Sequence, residues 1–562
     1  MLRSNVRMLA TIVAVAGGVC PVGVAAGAQR VWNAPGGGQL GDPANWLGGV
    51  APGLSDEGLF NLGATYNASL SAGLTTDRFS VGSDDFTINL STNTLSLQRA
   101  VGLADPSLAV GLQSGVAGAI TFINGDVTSV FTSLGFASGS TGSATVSGAT
   151  SWNNSQTMVV GDAGVGSLSV LNGAVLTNGP SRIGLGGSGD GAVLVSGADA
   201  TWTNGFSMRV GLDGLGQVTV NSGGFAEASA VELGYNSAGG GDAMVDGVDS
   251  VLRAAGAMTV GRSGVGTLLV SNGGEARAGS ASVGQNGGSV GEATVRNAAS
   301  VWTITNALDV GQNGMGTLTI EQNGRVTASS ANVSGAAGSG SVAITSAGTL
   351  DVAFQMGVGL GSGGLGTVSL NGGTLEATTL TIGPSGQLIG KGTVAANVIN
   401  AGIIRVGAPQ GLLGLQGTFD QSTGLGGAVI VELAPTLEAM VVNGSATLGG
   451  RLTVTLAPGF TPTPGQEFTV FSATTRNGEF DTVQLPTPSG GLTYTLEYRA
   501  GNVVIVVGGG LPADLNGDGA VDGADLGLLL GAWGAAGGPA DLNGDNMVDG
   551  GDLGLLLGAW TG

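Results

Sequence analysis

One spacing governs what this chain can fold into. The segments MVVGDAGVGSLSVLNG, MRVGLDGLGQVTVNSG, MTVGRSGVGTLLVSNG and LDVGQNGMGTLTIEQNG begin at Met158, Met208, Met258 and Leu308. Their glycines fall at Gly161, Gly211, Gly261 and Gly311, and again at Gly166, Gly216, Gly266 and Gly316, a period of 50 without slippage. The beat runs on to Gly361 and Gly366, and Trp152, Trp202 and Trp302 keep it, with Leu252 standing in once. A fixed period of this size is the mark of stacked repeats, in which each unit is capped by the next.

Each unit also repeats within itself. Val260-Gly261 is echoed by Val283-Gly284, and GTLLVSN from Gly266 by GEATVRN from Gly291, so the structural coil is half the repeat. Within it Leu268 and Val270 alternate with polar positions, as do Val218 and Val220, or Leu318 and Ile320. That alternation has the period of a strand, not of a helix. Short strands divided by Asn-Gly, Gly-Gly and Ser-Gly turns therefore predict a β-solenoid. Hydrophobic residues make up 42% of the chain, enough to bury a core, while aromatics at 4% suit a thin one. A transmembrane β-barrel would carry aromatic girdles, and the chain has 4 tyrosines.

The first residues hold Arg3 and Arg7, an apolar run from Met8, and Ala26-Gly27-Ala28. This order predicts a secretory signal peptide over 1–28, cleaved after Ala28. The mature chain is then expected to be secreted or at the cell surface, with no transmembrane anchor and, after loss of Cys20, no cysteine. Without disulfides, a secreted chain must be held by its core or by bound ions. Loss of Arg3 and Arg7 takes the formal charge from −21 to −23. Nucleic acid is not expected as a partner of such a surface, an anionic membrane is a poor one, and calcium suits it.

The pattern VGxxGxGxLxVxNG at this period resembles repeats of autotransporter-like passenger regions and of PEP-CTERM-associated surface proteins. Val31 to Asn61 looks like the opening segment of such solenoids, and LIGKGTVAANVINAGIIRVG and MVVNGSATLGGRLTVTL resemble their closing rungs. The resemblance implies a β-helix at a surface and no particular reaction. The expected fold class is mainly β: a right-handed parallel β-helix with ~25-residue coils in a 50-residue repeat, plus a small α-helical calcium-binding C-terminal domain. The expected layout places the solenoid at 29–507, regular over about 108–375 and closing over about 376–507. A linker at 508–512 and a tail domain at 513–562 follow.

The tail carries eight aspartates and no Lys or Arg, in two copies that open at Ala513 and Ala540. A calcium loop takes ligands at positions 1, 3, 5, 7, 9 and 12. Asp514, Asn516, Asp518, Ala520 by its carbonyl, Asp522 and Asp525 occupy them in the first copy. Asp541, Asn543, Asp545, Met547 by its carbonyl, Asp549 and Asp552 occupy them in the second, so two Ca2+ ions are expected. Gly519 supplies the turn at position 6, and Asn546, which tolerates left-handed backbone, replaces it in the second copy. Each loop leads into LGLLLGAW, where Leu526, Leu529, Leu530 and Trp533, and then Leu553, Leu556, Leu557 and Trp560, are spaced to share a helical face.

Tandem loops ending in Asp, each with one following helix, resemble a type I dockerin domain. The resemblance implies docking to a cohesin-like or other surface or scaffold protein. Family recognition falls on positions 10 and 11 of each loop, often Ser or Thr; here they are Gly523 and Ala524, then Gly550 and Gly551.

With no histidine in the chain and no cysteine after processing, His-based triads, thiol nucleophiles and His-ligated zinc are excluded. Carboxylate pairs remain, such as Glu227 with Glu232 or Glu432 with Glu438, and nothing in the sequence singles one out. Arg253, Arg277 and Arg296 share no phase that would build a lyase cleft, and the periodic tryptophans read as stacked core more readily than as a sugar-stacking row. The expected function is a secreted or surface-attached structural and adhesive rod anchored through its tail. The alternative is a polysaccharide-binding subunit, or a glycoside hydrolase or lyase, in a multienzyme assembly.

Overall fold

The computed structural model describes residues 27–561 apart from 100–104, 336, 362, 408–410, 423, 425, 436–438 and 488–491. The signal-peptide segment up to residue 26 and Glu438 lie outside the described residues. Strands account for 55% of the molecule and helices for 4%, arranged as a parallel β-solenoid of about 17 turns with two short helices near the C-terminus.

One coil shows the plan. A long strand, Val290–Arg296, is followed by two short ones, Val301–Ile304 and Ala307–Val310, and Met315–Glu321 opens the next coil. Each strand pairs in parallel with its counterpart one coil away. Gly166, Gly191, Gly216 and Gly241 thus stack in register, and Leu168, Val193, Val218 and Ala243 form a buried column beside them. Inward Val and Leu alternate with outward polar residues, which is the strand periodicity read from the sequence.

The columns explain why the sequence repeats at every second coil and not at every coil. On the second strand the inward column runs Trp152, Leu176, Trp202, Ala226, Leu252, Ala276, Trp302. On the third it runs Met158, Ser181, Met208, Val231, Met258, Ala281, Leu308. Neighbouring rungs lie only about 4.8 Å apart, so a large side chain fills its own layer and part of the next. The next rung must therefore carry a smaller one to reach close packing. Two coils form the packing unit.

At the corner closing each third strand the backbone turns left-handed. Gly261 has φ +72°, and a Cβ there would stand 2.3 Å from the carbonyl oxygen of Val290. Only glycine meets both demands without strain. Ser334 occupies the same corner at φ +73°, its hydroxyl donating to the Gly338 carbonyl at 3.0 Å.

A polar spine runs inside the upper coils. The indole N–H of Trp152 donates to Ser129 Oγ at 2.8 Å, and that of Trp202 to Asn178 Oδ1 at 2.7 Å. Asn178 in turn donates to Asn204 Oδ1 at 3.1 Å. The position that partners each indole lies one coil earlier and two places further along the strand. For Trp302 that position is Ala278, and the Trp302 N–H has no partner among the described residues.

Both ends are closed. Trp32, Trp46, Phe60, Tyr66 and Phe86 stack and interlock at the start with ring centroids 4.5 to 6.0 Å apart. At the other end Glu467–Asn477 and Leu492–Tyr498 pair antiparallel with Asn502–Gly509, which lies between them. That strand runs on through Gly508 and Gly509 into the segment expected as a linker.

Candidate metal centre

The tail is built on a small apolar core. Ala513, Val521, Leu529, Ala540, Val548 and Leu556 are its buried apolar residues. Helices α1 (Gly523–Gly531) and α2 (Gly550–Gly558) each bury one leucine, Leu529 and Leu556. Leu526 and Leu553 pack partly against them. Leu530, Trp533, Leu557 and Trp560 do not join that core as their spacing suggested. They are exposed: Leu530 and Leu557 lie within the helices beside the buried Leu529 and Leu556 but on the solvent side, and each tryptophan lies beyond the last helical turn.

Backbone pairing joins the two halves. Val548 donates to the Ala535 carbonyl at 3.0 Å and accepts from Gly534 at 2.9 Å. Val521 accepts from Thr561 N–H at 3.0 Å and donates to its Oγ1 at 2.7 Å. Each loop is thus tied to the segment that follows the other loop's helix, so the copies form one unit.

The predicted ligands occupy matching places in both loops. Asp525 is buried, and its carboxylate accepts N–H groups from Leu515 at 2.8 Å, Asn516 at 3.0 Å and Asp522 at 3.0 Å. Asp552 accepts the equivalent three from Leu542, Asn543 and Asp549 at 2.7, 3.0 and 2.8 Å. Asp514 accepts from Gly517 and Gly519, each at 2.8 Å, and Asp541 from Gly544 and Asn546 at 2.8 and 2.9 Å. Asn516 and Asp518, like Asn543 and Asp545, close the turn through local side-chain to backbone bonds. Gly519 is left-handed at φ +91° and Asn546 at φ +72°, as their turn positions require.

Three carboxylates of the first loop converge. Oxygens of Asp514, Asp518 and Asp525 lie within 4.8 Å of one another, and no such group forms in the second loop among the described residues. No N–H reaches the carbonyls of Ala520 or Met547 among the described residues, which leaves both oxygens open to an ion. The donors are all oxygens and mostly charged, the set a hard cation such as calcium requires. The N–H groups behind each carboxylate fix its direction.

Asp522 and Asp549 have a second task that the ligand reading missed. Each is the N-cap of its helix, with Asp525 or Asp552 at the third helical position completing a capping box. The signal was present in the sequence as Asp-x-x-Asp ahead of an apolar run. Burial pushes the Asp525 carboxyl up, but the N–H groups of Asp522, Asn516 and Leu515 outweigh it and hold the group below the ordinary carboxylate range. For Asp552 the N–H of Asp549 is the largest influence, and its carboxyl is likewise held low.

The solenoid candidates resolve differently. Trp152, Trp202 and Trp302 are fully buried, so they are core and offer no sugar platform. Glu227 pairs with Arg253 at 3.3 Å, and Glu232 with Arg209 at 3.1 Å and Arg262 at 3.3 Å. The two glutamates are thus engaged in separate ion pairs. Arg253 and Arg277 do share a phase, contrary to the sequence reading, since they stack directly on adjacent rungs.

No family model matches the chain, and no curated protein matches it. Among solved structures, the crystal structure of a TibC-catalysed hyper-glycosylated TibA fragment aligns with 71% of this chain and 99% of that one, at 19% identity and a TM-score of 0.25. At that score the two backbones do not superpose as wholes, and nothing about that protein's role carries over. Among the described residues no helix is long and apolar enough to cross a membrane.

Proposed function

We propose that this protein is a secreted or surface-attached structural and adhesive rod, and that its tail is a calcium-dependent docking module of the type I dockerin kind. The observation that carries the reading is the repetition of one hydrogen-bonded carboxylate frame in both loops, Asp525 and Asp552 each gathering three backbone N–H groups. A solvated acidic turn has no reason to build the same frame twice. Asp514, Asn516, Asp518, Asp522 and Asp525, with the Ala520 carbonyl, would hold one ion, and their second-copy equivalents the other. Bound calcium supplies positive charge to eight aspartates and adds folding free energy to a small apolar core. The partner is a cohesin-like or other scaffold protein, and the solenoid supplies length and stiffness.

Calorimetric titration of calcium into the full chain, followed in parallel by circular dichroism, tests this. Two ions per chain and a gain of helical signal are expected. Asp525→Ala with Asp552→Ala should lower affinity by at least ~100-fold and remove the helical gain, while the strand signal stays unchanged. Undiminished calcium uptake by the double variant would sink the ligand assignment.

A further inference from the structure

The corner between the second and third strands runs along the regular coils, and its outermost residue changes character on the way. Phe206 and Phe354 stand exposed on it, and between them stand Ser229, Gly256, Gly279, Asn306 and Ser329. Backbone hydrogen bonds string this column together. Ser229 donates to the Phe206 carbonyl at 3.0 Å, Gly256 to Ser229 at 2.8 Å, Asn306 to Gly279 at 2.8 Å, Ser329 to Asn306 at 2.9 Å and Phe354 to Ser329 at 3.0 Å. The remaining step follows from Ala257 and Ser280, which are in register. Six rungs therefore separate the two phenylalanines, about 29 Å at the ordinary strand spacing.

Each phenylalanine is 65% exposed. Single exposed apolar side chains are common on any surface, but these two stand on one column with only small or polar residues between. Gly256 and Gly279 leave the middle of the floor without side chains. Beside Phe354 lies a depression of about 420 Å³ lined by Ser329, Ser330, Gln355, Thr378 and Thr379. The wall on one side carries Arg253, paired with Glu227 at 3.3 Å, and Arg277, paired with Glu275 at 2.6 Å. Its charges are already answered.

We propose that this trough binds a neutral polysaccharide chain lying along the solenoid axis, with one sugar ring stacked on Phe354 and another on Phe206. A pyranose ring presents an apolar C–H face to an aromatic ring and hydroxyls at its rim, which suits a concave site with an apolar platform and a few hydroxyl and amide groups. A linear polymer suits a column of evenly spaced rungs. An anionic chain would gain no unanswered cation here, since each wall arginine would first have to leave its glutamate. An extended peptide is disfavoured because the backbone groups it would pair with are already bonded within the ladder. The trough contains no residue of the calcium loops, so its failure and the failure of the docking reading are separable.

The test is affinity electrophoresis of the full chain in gels containing hydroxyethylcellulose, galactomannan or mixed-linkage β-glucan, with polygalacturonate as the acidic comparison. Retardation by at least one neutral polymer is expected. Phe354→Ala should weaken it at least ~10-fold, the double variant with Phe206→Ala should abolish it, and Phe354→Trp should retain it. Both positions are exposed, so the strand signal should not change, and Asp525→Ala with Asp552→Ala should bind as the parent does. Retardation by none of the neutral polymers, by polygalacturonate alone, or equally in the double phenylalanine variant would overturn the proposal.

Discussion

The solenoid and the tail put their side chains to opposite uses. In the solenoid, columns of mostly Val, Leu, Met, Trp and Ala run from coil to coil, and neighbouring rungs bury one another. In the tail few apolar residues are buried, and order is carried by carboxylates collecting backbone N–H groups. The first region distributes its stability over many equivalent layers, as repeat proteins do. The second concentrates it in two loops of hydrogen-bonded carboxylates. On the proposed reading, one chain joins a region indifferent to calcium to a region governed by it.

Acid should separate the two most completely. The carboxyls of Asp525 and Asp552 are held below their ordinary range. A depressed folded value means that the stabilisation is present above the unfolded value, near 4, and is lost as pH falls through the folded one. With calcium held constant, helical ellipticity should disappear below about pH 4 while the strand signal persists. Simultaneous loss of both signals would break the comparison.

Within the solenoid the largest single effect should come from Trp202→Ala, which leaves a cavity between Leu176 and Ala226. A loss of about 3–5 kcal/mol is expected, read as a lower denaturant midpoint for the strand transition with the tail's calcium uptake untouched. A drop in calcium affinity would show that the two regions are coupled after all.

The smallest effect sharpens the picture of the core. Ala278 stands where Ser129 and Asn178 serve the other indoles, and the Trp302 N–H is left without a partner. Ala278→Ser should restore the bond and raise stability by about 1 kcal/mol, measured as a shift in thermal midpoint against the same change at exposed Ala257. An equal shift at both positions would remove the explanation.

Much of this was legible in residue spacing. The glycines and tryptophans revealed the two-coil unit and the alternating Val and Leu the strand period, because the left-handed corner favours glycine and a large layer needs a small neighbour. What spacing hid was the inequality of the two coils in each unit. Steps between rungs are even on the first strand, as Leu168, Val193, Val218 and Ala243 show. On the second strand they alternate between a short step and a long one, as Trp152, Leu176, Trp202 and Ala226 show. Arg253 and Arg277 are separated by a short step, and therefore stack while looking out of phase. In the tail the turn positions Gly519 and Asn546 were readable because a tight loop needs left-handed backbone there. The helical face was not, since α1 ends before Trp533 and turns Leu529, not Leu530, to the core.

The closing strand of the solenoid has a mechanical meaning. Asn502–Gly509 leads directly toward the tail and is hydrogen-bonded along both edges, to Glu467–Ser472 on one side and Leu492–Tyr498 on the other. Tension transmitted along that strand loads its hydrogen bonds together, in shear, and cannot peel them one at a time. The join between solenoid and tail is thereby arranged to bear a pull.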